Sequence, residues 1–434
     1  MAVAPGPPQL LVELGWRGLI QDRTAGLEAR LRRGPLNAYV GFDPSGPSLH
    51  VGHLVQVFLL THLQRAGGRP VALLGGGTGM IGDPSGKSAE RNLLDDATLE
   101  DHKVRFRSQL ERFIEFGAGP SGGIMLDNRA WLGAWGLLDF LREIGKHFSV
   151  GYMLGKESVQ ERLAGGLSFT EFSYMTLQAT DFLHLYREHG VEMQMGGADQ
   201  WGNITAGLEL IRRVEGGAAG DAADGSTEAL AFGLCSPLLT TPSGQKMGKT
   251  ETGAVYLDAT LTPPYDFYQY LVNQPDELVG KLLRWLTLME KDAIEALEAD
   301  TAAHPERRAG QRAFALDLTA RVHGRDVAER QVRVSDAAFG DASLDDPEVL
   351  EELFEVLGGF EVGAEVVRGG AMAVALASGL FRSNSELRRA LSQGGLTING
   401  ARISTIDAEV PAIADRWLVV RFGKRHVRIG RVAG

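Results

Sequence analysis

The sequence predicts an α/β fold, built as a doubly wound parallel sheet, then a helical region, then a small α+β module. Three observations predict it. A strand–helix–strand pattern with short loops runs between residues 38 and 76. A second strand-to-helix junction lies at 191–213, and helical spacing fills most of 95–190 and 264–340. Residues 371–434 then turn basic in an otherwise acidic chain.

Each element follows from local pattern. LLVELGWRGL (10–19) has helical spacing, and AYVGF (38–42) is a short apolar strand. LVQVFLLTHLQRAG (54–67) is a helix closed by Gly67 and Gly68. PVALLGG (70–76) is apolar throughout, as expected of a parallel strand covered on both faces. Together they form a βαβ unit, so the sheet is expected to be Rossmann-like. VEMQMGGADQWGNITAGLELIRR (191–213) repeats the strand-to-helix step, and EGGAAGDAADGSTEA (215–229) is expected as a surface loop. FGLCSPLLT (232–240) is strand-like and precedes the loop TPSGQKMGKTETG. The expected domains are 1–252 (α/β), 253–345 (helical), 346–370 (a Gly- and acid-rich linker) and 371–434 (the terminal module).

Composition excludes several classes. A chain of 434 residues that is 44% hydrophobic and 23% charged is ordinary for a soluble protein of several domains. No apolar run approaches the ~18 residues a membrane helix needs. MAVAPGPPQLLVELGWRGL lacks the pattern of a signal peptide. A single cysteine, Cys235, permits neither an internal disulfide nor a multi-cysteine zinc site, and a cytoplasmic location is expected. Net charge is −11; ten bases against four acids give 371–434 a charge of +6, leaving −17 for residues 1–370. Such a tail can hold a polyanion locally, or simply form a solvated basic surface.

The densest motif is GFDPSGPSLHVGHL (41–54), with His50 and His53 three apart where a helix begins. Amide groups at a helix start attract anions, two imidazoles on one turn can donate to phosphate oxygens, and Gly52 permits close approach. The pair equally suits capping or core histidines, and lacks the third ligand of a zinc site. The second motif is Lys246-Met247-Gly248-Lys249-Thr250. Two lysines three apart on a loop suit a clamp on a triphosphate, stabilising the charge on departing pyrophosphate, although such a pair alone is ordinarily solvent-facing. Gly77-Thr78-Gly79-Met80-Ile81-Gly82 fits the dinucleotide fingerprint, but Asp83-Pro84-Ser85-Gly86 interrupts where a helix should open. Gly86-Lys87-Ser88 resembles the end of a Walker loop, yet the first required glycine would fall at Ile81. Both glycine-rich stretches suit tight walls around a ligand better.

LHVGH resembles the HIGH signature and KMGKT the KMSKS signature of class I aminoacyl-tRNA synthetases. YVGFDPSGPSLHVGH, GDPSGKSAER, SFTEFSYMTLQATDF and GGADQWGNITAG resemble bacterial tyrosyl-tRNA synthetases in particular, over a stretch from Tyr39 to the C-terminus. The resemblance implies that Tyr39 and Asp181 bind the phenolic hydroxyl of tyrosine. Tyr174 and Gln178, on the same helix face as Asp181, would hold its ammonium group with Asp83. Gln200 would lie near the reacting carboxylate, Gln194 would support the pocket, and Asp199 would contact ribose. Asp43, Ser45 (where threonine is usual), Gly52, His53 and Lys249 would bind ATP. His50, His53, Lys246, Lys249 and Thr250 would carry catalysis, with Lys87 and Arg91 reaching the leaving pyrophosphate. ATP is then a substrate, Mg²⁺ its companion, and no structural metal is expected.

SNSELRRALSQGGLTINGARI and DRWLVVRFGKRHVRIGRV resemble the S-four RNA-binding module, which implies contacts from Arg382, Arg388, Arg389, Lys424 and Arg425 to tRNA phosphates. Residues 253–345 correspond to the family's anticodon-side domain, and IGKHFSVGYM (144–153) to the insertion through which it forms homodimers. Competing readings are a tryptophanyl enzyme, which would lack the Tyr39/Asp181 pair, a small-molecule nucleotidyltransferase, which would lack the lysine loop, and an RNA-binding regulator.

Overall fold

The structure is a computed structural model describing residues 8–83, 95–163, 165–216, 229–242, 244–250, 253–339, 346–381, 383–392, 394–423 and 426–433. It divides into two units, Met1–Thr262 with Gln274–Phe314, and Pro263–Asn273 with Ala315–Gly434.

The first unit is built on a six-stranded sheet of β1 (Asp22–Arg23), β2 (Asn37–Phe42), β3 (Arg69–Leu74), β4 (Ile124–Asp127), β5 (Val191–Gly197) and β6 (Phe232–Ser236). The order is β1-β6-β5-β2-β3-β4, parallel throughout except for β1 at the edge. Helix α1 (Gln9–Arg17) precedes it, and α2 (Leu54–Arg65) makes the crossover from β2 to β3. That crossover helix stops where expected: Gly67 adopts φ 86°, and the Gly68 amide donates back to Leu63 O at 3.0 Å. Helices α3 (Asp96–Leu110), α4 (Glu157–Leu163), α5 (Phe169–His189) and α6 (Trp201–Glu215) complete the layers that concern the site. Helices α5 and α6 pack closely because Gly207 has no side chain: a Cβ there would lie 2.9 Å from the Phe182 ring. Tyr39, Phe182, Leu185, Leu210 and Ile211 form the core between these helices and the sheet. Arg17 is buried and donates to the Arg284, Thr287 and Met289 carbonyls at 2.8–2.9 Å, tying α1 to the end of the helix Asp276–Leu286.

Strand β4 falls inside a stretch expected to be helical. Its four residues are too few to display a period, and pairing with β3 decides the outcome. From β2 the chain goes to β3 on one side, while β5 lies on the other. The carboxyl ends of β2 and β5 therefore flank a topological switch point, where such sheets bind ligands.

In the second unit, helix Pro264–Val272, α7 (Arg325–Phe339) and α8 (Pro347–Val356) accompany a five-stranded sheet. Its strands are β9 (Phe360–Gly363), β10 (Leu396–Ile398), β11 (Ala401–Arg402), β12 (Trp417–Phe422) and β13 (His426–Ala433), in the order β11-β10-β12-β13-β9. Helix α9 (Asn384–Ser392) precedes β10. The stretch 346–370 differs from the expected linker. It contains α8 and β9, and β9 pairs in parallel with β13. The acids that suggested a solvated connection meet partners brought from far along the chain: Glu351 pairs with Arg416 and Arg431, and Glu361 with Arg431. Residues 274–314, expected in the separate helical domain, belong to the first unit. The loop expected at 215–229 falls mostly outside the described residues.

Candidate active site

A cavity of about 610 Å³ opens at the switch point, walled by β2, β5, α5 and the turns that follow them. Its closed end is set by strand register. Tyr39 on β2 lies opposite Gln194 on β5, and both are buried. Tyr39 Oη and Gln194 Oε1 make no hydrogen bond among the described residues. Buried polar atoms are nearly always partnered, so two together in one cavity mark where a polar ligand group belongs. Asp181 of α5 lines the same cavity and accepts hydrogen bonds from Asn128 Nδ2 and Trp131 Nε1, both at 2.8 Å. Burial nevertheless pushes its carboxyl up to about 8, with Asp43 and Asp127 adding repulsion. Burial, and then Asp181, raises the Tyr39 phenol well above its ordinary value.

A polar network continues from there. Tyr174 Oη donates to Asp43 Oδ2 at 3.0 Å and Thr78 Oγ1 to Asp43 Oδ1 at 2.8 Å. Asn128 bridges the two ends, donating also to Thr78 Oγ1 at 2.9 Å and accepting the Gly77 amide at 2.7 Å. Gln178 donates to Gln200 at 3.2 Å, and Gln200 in turn to Asp83 at 2.6 Å. Asn203 donates to both glutamines at 3.2 Å. The first glycines after β3 serve this packing: a Cβ at Gly75 would sit 2.1 Å from Asp43 Oδ1, and one at Gly76 2.1 Å from Asp127 Oδ1. They make room for carboxylates.

The open end joins the two motifs. His50 and His53 stack with ring centroids 3.8 Å apart. His50 Nδ1 accepts the Gly52 amide at 3.0 Å, and His53 Nδ1 the His50 amide at 3.1 Å. Each neutral ring must then carry its proton on Nε2, a donor suited to phosphate oxygens. The lysine loop lies against this turn. A Cβ on Gly52 would meet Met247 O at 2.9 Å, while the Val255 amide donates to Gly248 O and the Val51 amide to Val255 O, at 2.9 and 3.0 Å. Lys246 Nζ pairs with Asp199 Oδ2 at 2.8 Å, and Ser45 lines the cavity beside Asp43.

The structure thus gathers Tyr39, Asp43, Ser45, His50, Gly52, His53, Asp83, Tyr174, Gln178, Asp181, Gln194, Asp199, Gln200 and Lys246 around one cavity. Lys87, Arg91 and the side chains of Lys249 and Thr250 lie outside the described residues. Asn128, Trp131 and Asn203 escaped the sequence reading, while Thr78 lies in the glycine-rich stretch expected to wall a ligand and lines the cavity. A signal existed for Asn128, which stands directly after β4 at the carboxyl edge of the sheet, but it required β4 to be recognised.

In the terminal module, Arg388 and Arg389 are exposed on α9, above the buried Leu387 and Ala390. Arg382, Lys424 and Arg425 lie outside the described residues. Four other arginines turn toward their own unit. Arg416 and Arg431 pair with the acids named above, Arg421 donates to Ala337 O at 2.8 Å, and Arg428 to Leu357 O and Gly358 O at 2.7 and 2.6 Å.

Residues 31–340 match the family model of tRNA synthetases class I (W and Y). A Tyrosine–tRNA ligase of Anaeromyxobacter dehalogenans is 45% identical, over 98% of this chain and 99% of that protein. The Tyrosine–tRNA ligase of Geobacillus stearothermophilus is 42% identical, over 98% and 100%. Among solved structures, a C-terminally truncated mitochondrial tyrosyl-tRNA synthetase of Coccidioides posadasii superposes with a TM-score of 0.65 at 31% identity, over 75% of this chain and 91% of that one. The chain belongs to the class I tRNA synthetases and, within them, to the tyrosyl-tRNA synthetases.

Proposed function

We propose that the protein activates L-tyrosine with ATP and transfers the tyrosyl group to the 3′-terminal ribose of its cognate tRNA, working as a cytoplasmic homodimer. The observation that carries this reading is that Tyr39 and Asp181 line one end of a cavity whose other end holds the His50/His53 turn against Met247 and Gly248 of the lysine loop. A phenolic hydroxyl would complete the unpartnered Tyr39 oxygen and reach Asp181. Phenylalanine would leave the Tyr39 oxygen without a partner, a form of discrimination for which tyrosyl-tRNA synthetases are themselves the known example. Tyr174, Gln178 and Asp83 then face the α-ammonium group, with Gln194 supporting the pocket and Gln200 beside the reacting carboxylate.

In the first step a tyrosine carboxylate oxygen attacks the α-phosphorus of ATP. A new P–O bond forms as the bond to pyrophosphate breaks, and the bonding electrons leave with pyrophosphate. The attacking group is already anionic, so the protein needs only to align it and to neutralise charge on the departing group. We assign that neutralisation to His50, His53, Lys246 and Lys249, with Lys87, Arg91 and Thr250 assisting. Asp43, Ser45, Gly52 and Asp199 would hold the nucleotide. Asp43, Asp83 and Asp199 are each engaged by a neighbouring side chain. Magnesium would ride on the phosphates of ATP and supply charge neutralisation there.

For tRNA, the exposed Arg388 and Arg389 support a phosphate-binding face on α9, and we assign further phosphate contacts to Arg382, Lys424 and Arg425. For the homodimer, support comes from apolar side chains left in water: Leu138 and Phe169 are each 79% exposed and Val150 63%. Among the described residues no helix is long and apolar enough to cross a membrane. Amino-acid-dependent ATP–pyrophosphate exchange tests the reading. Tyrosine should support exchange and phenylalanine barely so; exchange driven by tryptophan, or by no amino acid, would refute it.

A further inference from the structure

Ser168-Phe169-Thr170-Glu171 opens α5 with a reciprocal cap. Ser168 Oγ accepts the Glu171 amide at 3.2 Å, and Glu171 Oε2 accepts the Ser168 amide at 3.5 Å. Such a cap works equally well with its acid in water. Here Glu171 is only 4% exposed, and it is met by Arg162 of α4, 7% exposed, whose Nη2 lies 3.1 and 2.9 Å from the two carboxylate oxygens. Withdrawing both charges from water is costly, and a well-packed apolar pair in their place is often as stable or more so. Stability alone does not account for the pair.

Its position along the helix does. Glu171, Tyr174, Gln178 and Asp181 succeed one another at steps of three, four and three, and so form one stripe along α5. The next two members make exacting bonds, Tyr174 to Asp43 at 3.0 Å and Gln178 to Gln200 at 3.2 Å. Such bonds weaken over a few tenths of an ångström. A helix held by apolar packing alone can slide or roll in its groove. A carboxylate in its first turn, fixed by both a cap and an arginine, cannot move without breaking both. We infer that the Arg162–Glu171 pair fixes the axial and rotational setting of α5 and thereby positions Tyr174 and Gln178 for the α-ammonium group of tyrosine. The inference rests on the reading given above for those two side chains. Neither Arg162 nor Glu171 belongs to the cavity wall. They are positioning residues.

The test compares the full-length wild type with Arg162→Lys and with the apolar double variant Arg162→Met/Glu171→Met. Three quantities are read from pyrophosphate exchange: KM for tyrosine, KM for ATP, and the inhibition constant of 3-(4-hydroxyphenyl)propionate, which carries the phenol and carboxylate but no ammonium group. The double variant should melt cooperatively near the wild-type temperature. Its KM for tyrosine should rise about tenfold, since a displacement of ~1 Å costs up to about a hundredfold. KM for ATP should stay within twofold, and the inhibition constant should rise by less than the tyrosine KM, because the analogue meets α5 only through Asp181. Arg162→Lys, which keeps the charge, should recover most of the tyrosine KM. A folded double variant with wild-type tyrosine KM would overturn the proposal. If the double variant fails to fold, Glu171→Gln decides, because it keeps the capping side chain and removes the charge that meets Arg162: a rise in tyrosine KM with KM for ATP unchanged supports the proposal, whereas no change, or equal changes in all three quantities, overturns it. A wild type without tyrosine-dependent exchange would instead overturn the underlying functional reading.

Discussion

Replacing Gly52 by alanine probes whether the histidine turn and the lysine loop work as one surface. The added Cβ would stand 2.9 Å from Met247 O, and 2.8 and 2.9 Å from Cε1 and Nδ1 of the His50 ring. An ordinary contact begins near 3.4 Å, so the carbonyl must retreat by about 0.5 Å. Met247 is pinned on its other side, where its amide donates to Leu239 O at 2.8 Å, so the whole segment must shift. If ~1 Å of misplacement costs about a hundredfold, half that distance costs about tenfold, or about 1.4 kcal/mol. The loss should fall on kcat/KM for ATP in pyrophosphate exchange. The tyrosine end lies elsewhere in the cavity, and the dissociation constant for tyrosine alone, measured by calorimetry, should stay within twofold. A Gly52→Ala protein with wild-type ATP kinetics would refute the mechanical link between the motifs. Equal losses at both substrates would show general disruption instead.

Two other outcomes follow from the charges described above. Burial holds the Asp181 carboxyl at about 8 in the folded chain, against 3.8 ordinarily. Between those values the native protein keeps a proton that the unfolded chain releases, so this group's stabilising contribution is complete below about pH 4 and is lost as pH rises through about 8. Asp181→Asn cannot titrate, so its melting temperature should fall less steeply from pH 5 to 8 than that of the wild type, whose loss reaches at most about 1.4 kcal/mol per pH unit; parallel curves would contradict a carboxyl held neutral. In the basic module, Arg388→Ala/Arg389→Ala should weaken tRNA binding and flatten its salt dependence without lowering the melting temperature, while Arg416→Ala/Arg431→Ala should lower that temperature and leave the salt slope unchanged. The opposite assignment in filter-binding and thermal-melt measurements would reverse the roles given to these two groups.

The contrast between residues found and missed has a physical pattern. His50 and His53 stood out because they share one turn at the start of a helix, whereas Tyr39 and Asp181 were reached through the family resemblance. Tyr174, Gln178 and Asp181 announce one helix face by spacing alone. Asn128 and Trp131 have no such local signature. Their importance comes from bonds to Asp181, 53 and 50 residues further along, formed only when β4 pairs with β3. The same holds for 346–370, where acidic, glycine-rich composition suggested a tether. Nothing within that stretch announces Arg416 and Arg431, or the parallel strand β13, that make it part of a sheet. Short strands and long-range partners were what local pattern could not supply.

The threading of the chain bears on how the molecule is made and cut. Residues 263–273 belong to a body otherwise assembled from residue 315 onward, while 274–314 return to the body already begun. On the ribosome, the catalytic half is therefore whole only after a helix of its neighbour has been set aside, waiting for partners about fifty residues away. No single proteolytic nick can release two intact halves. A stop codon after residue 314 would yield the cavity with one orphaned amphipathic helix, and one after residue 370 would leave β9 without the strand it lies beside.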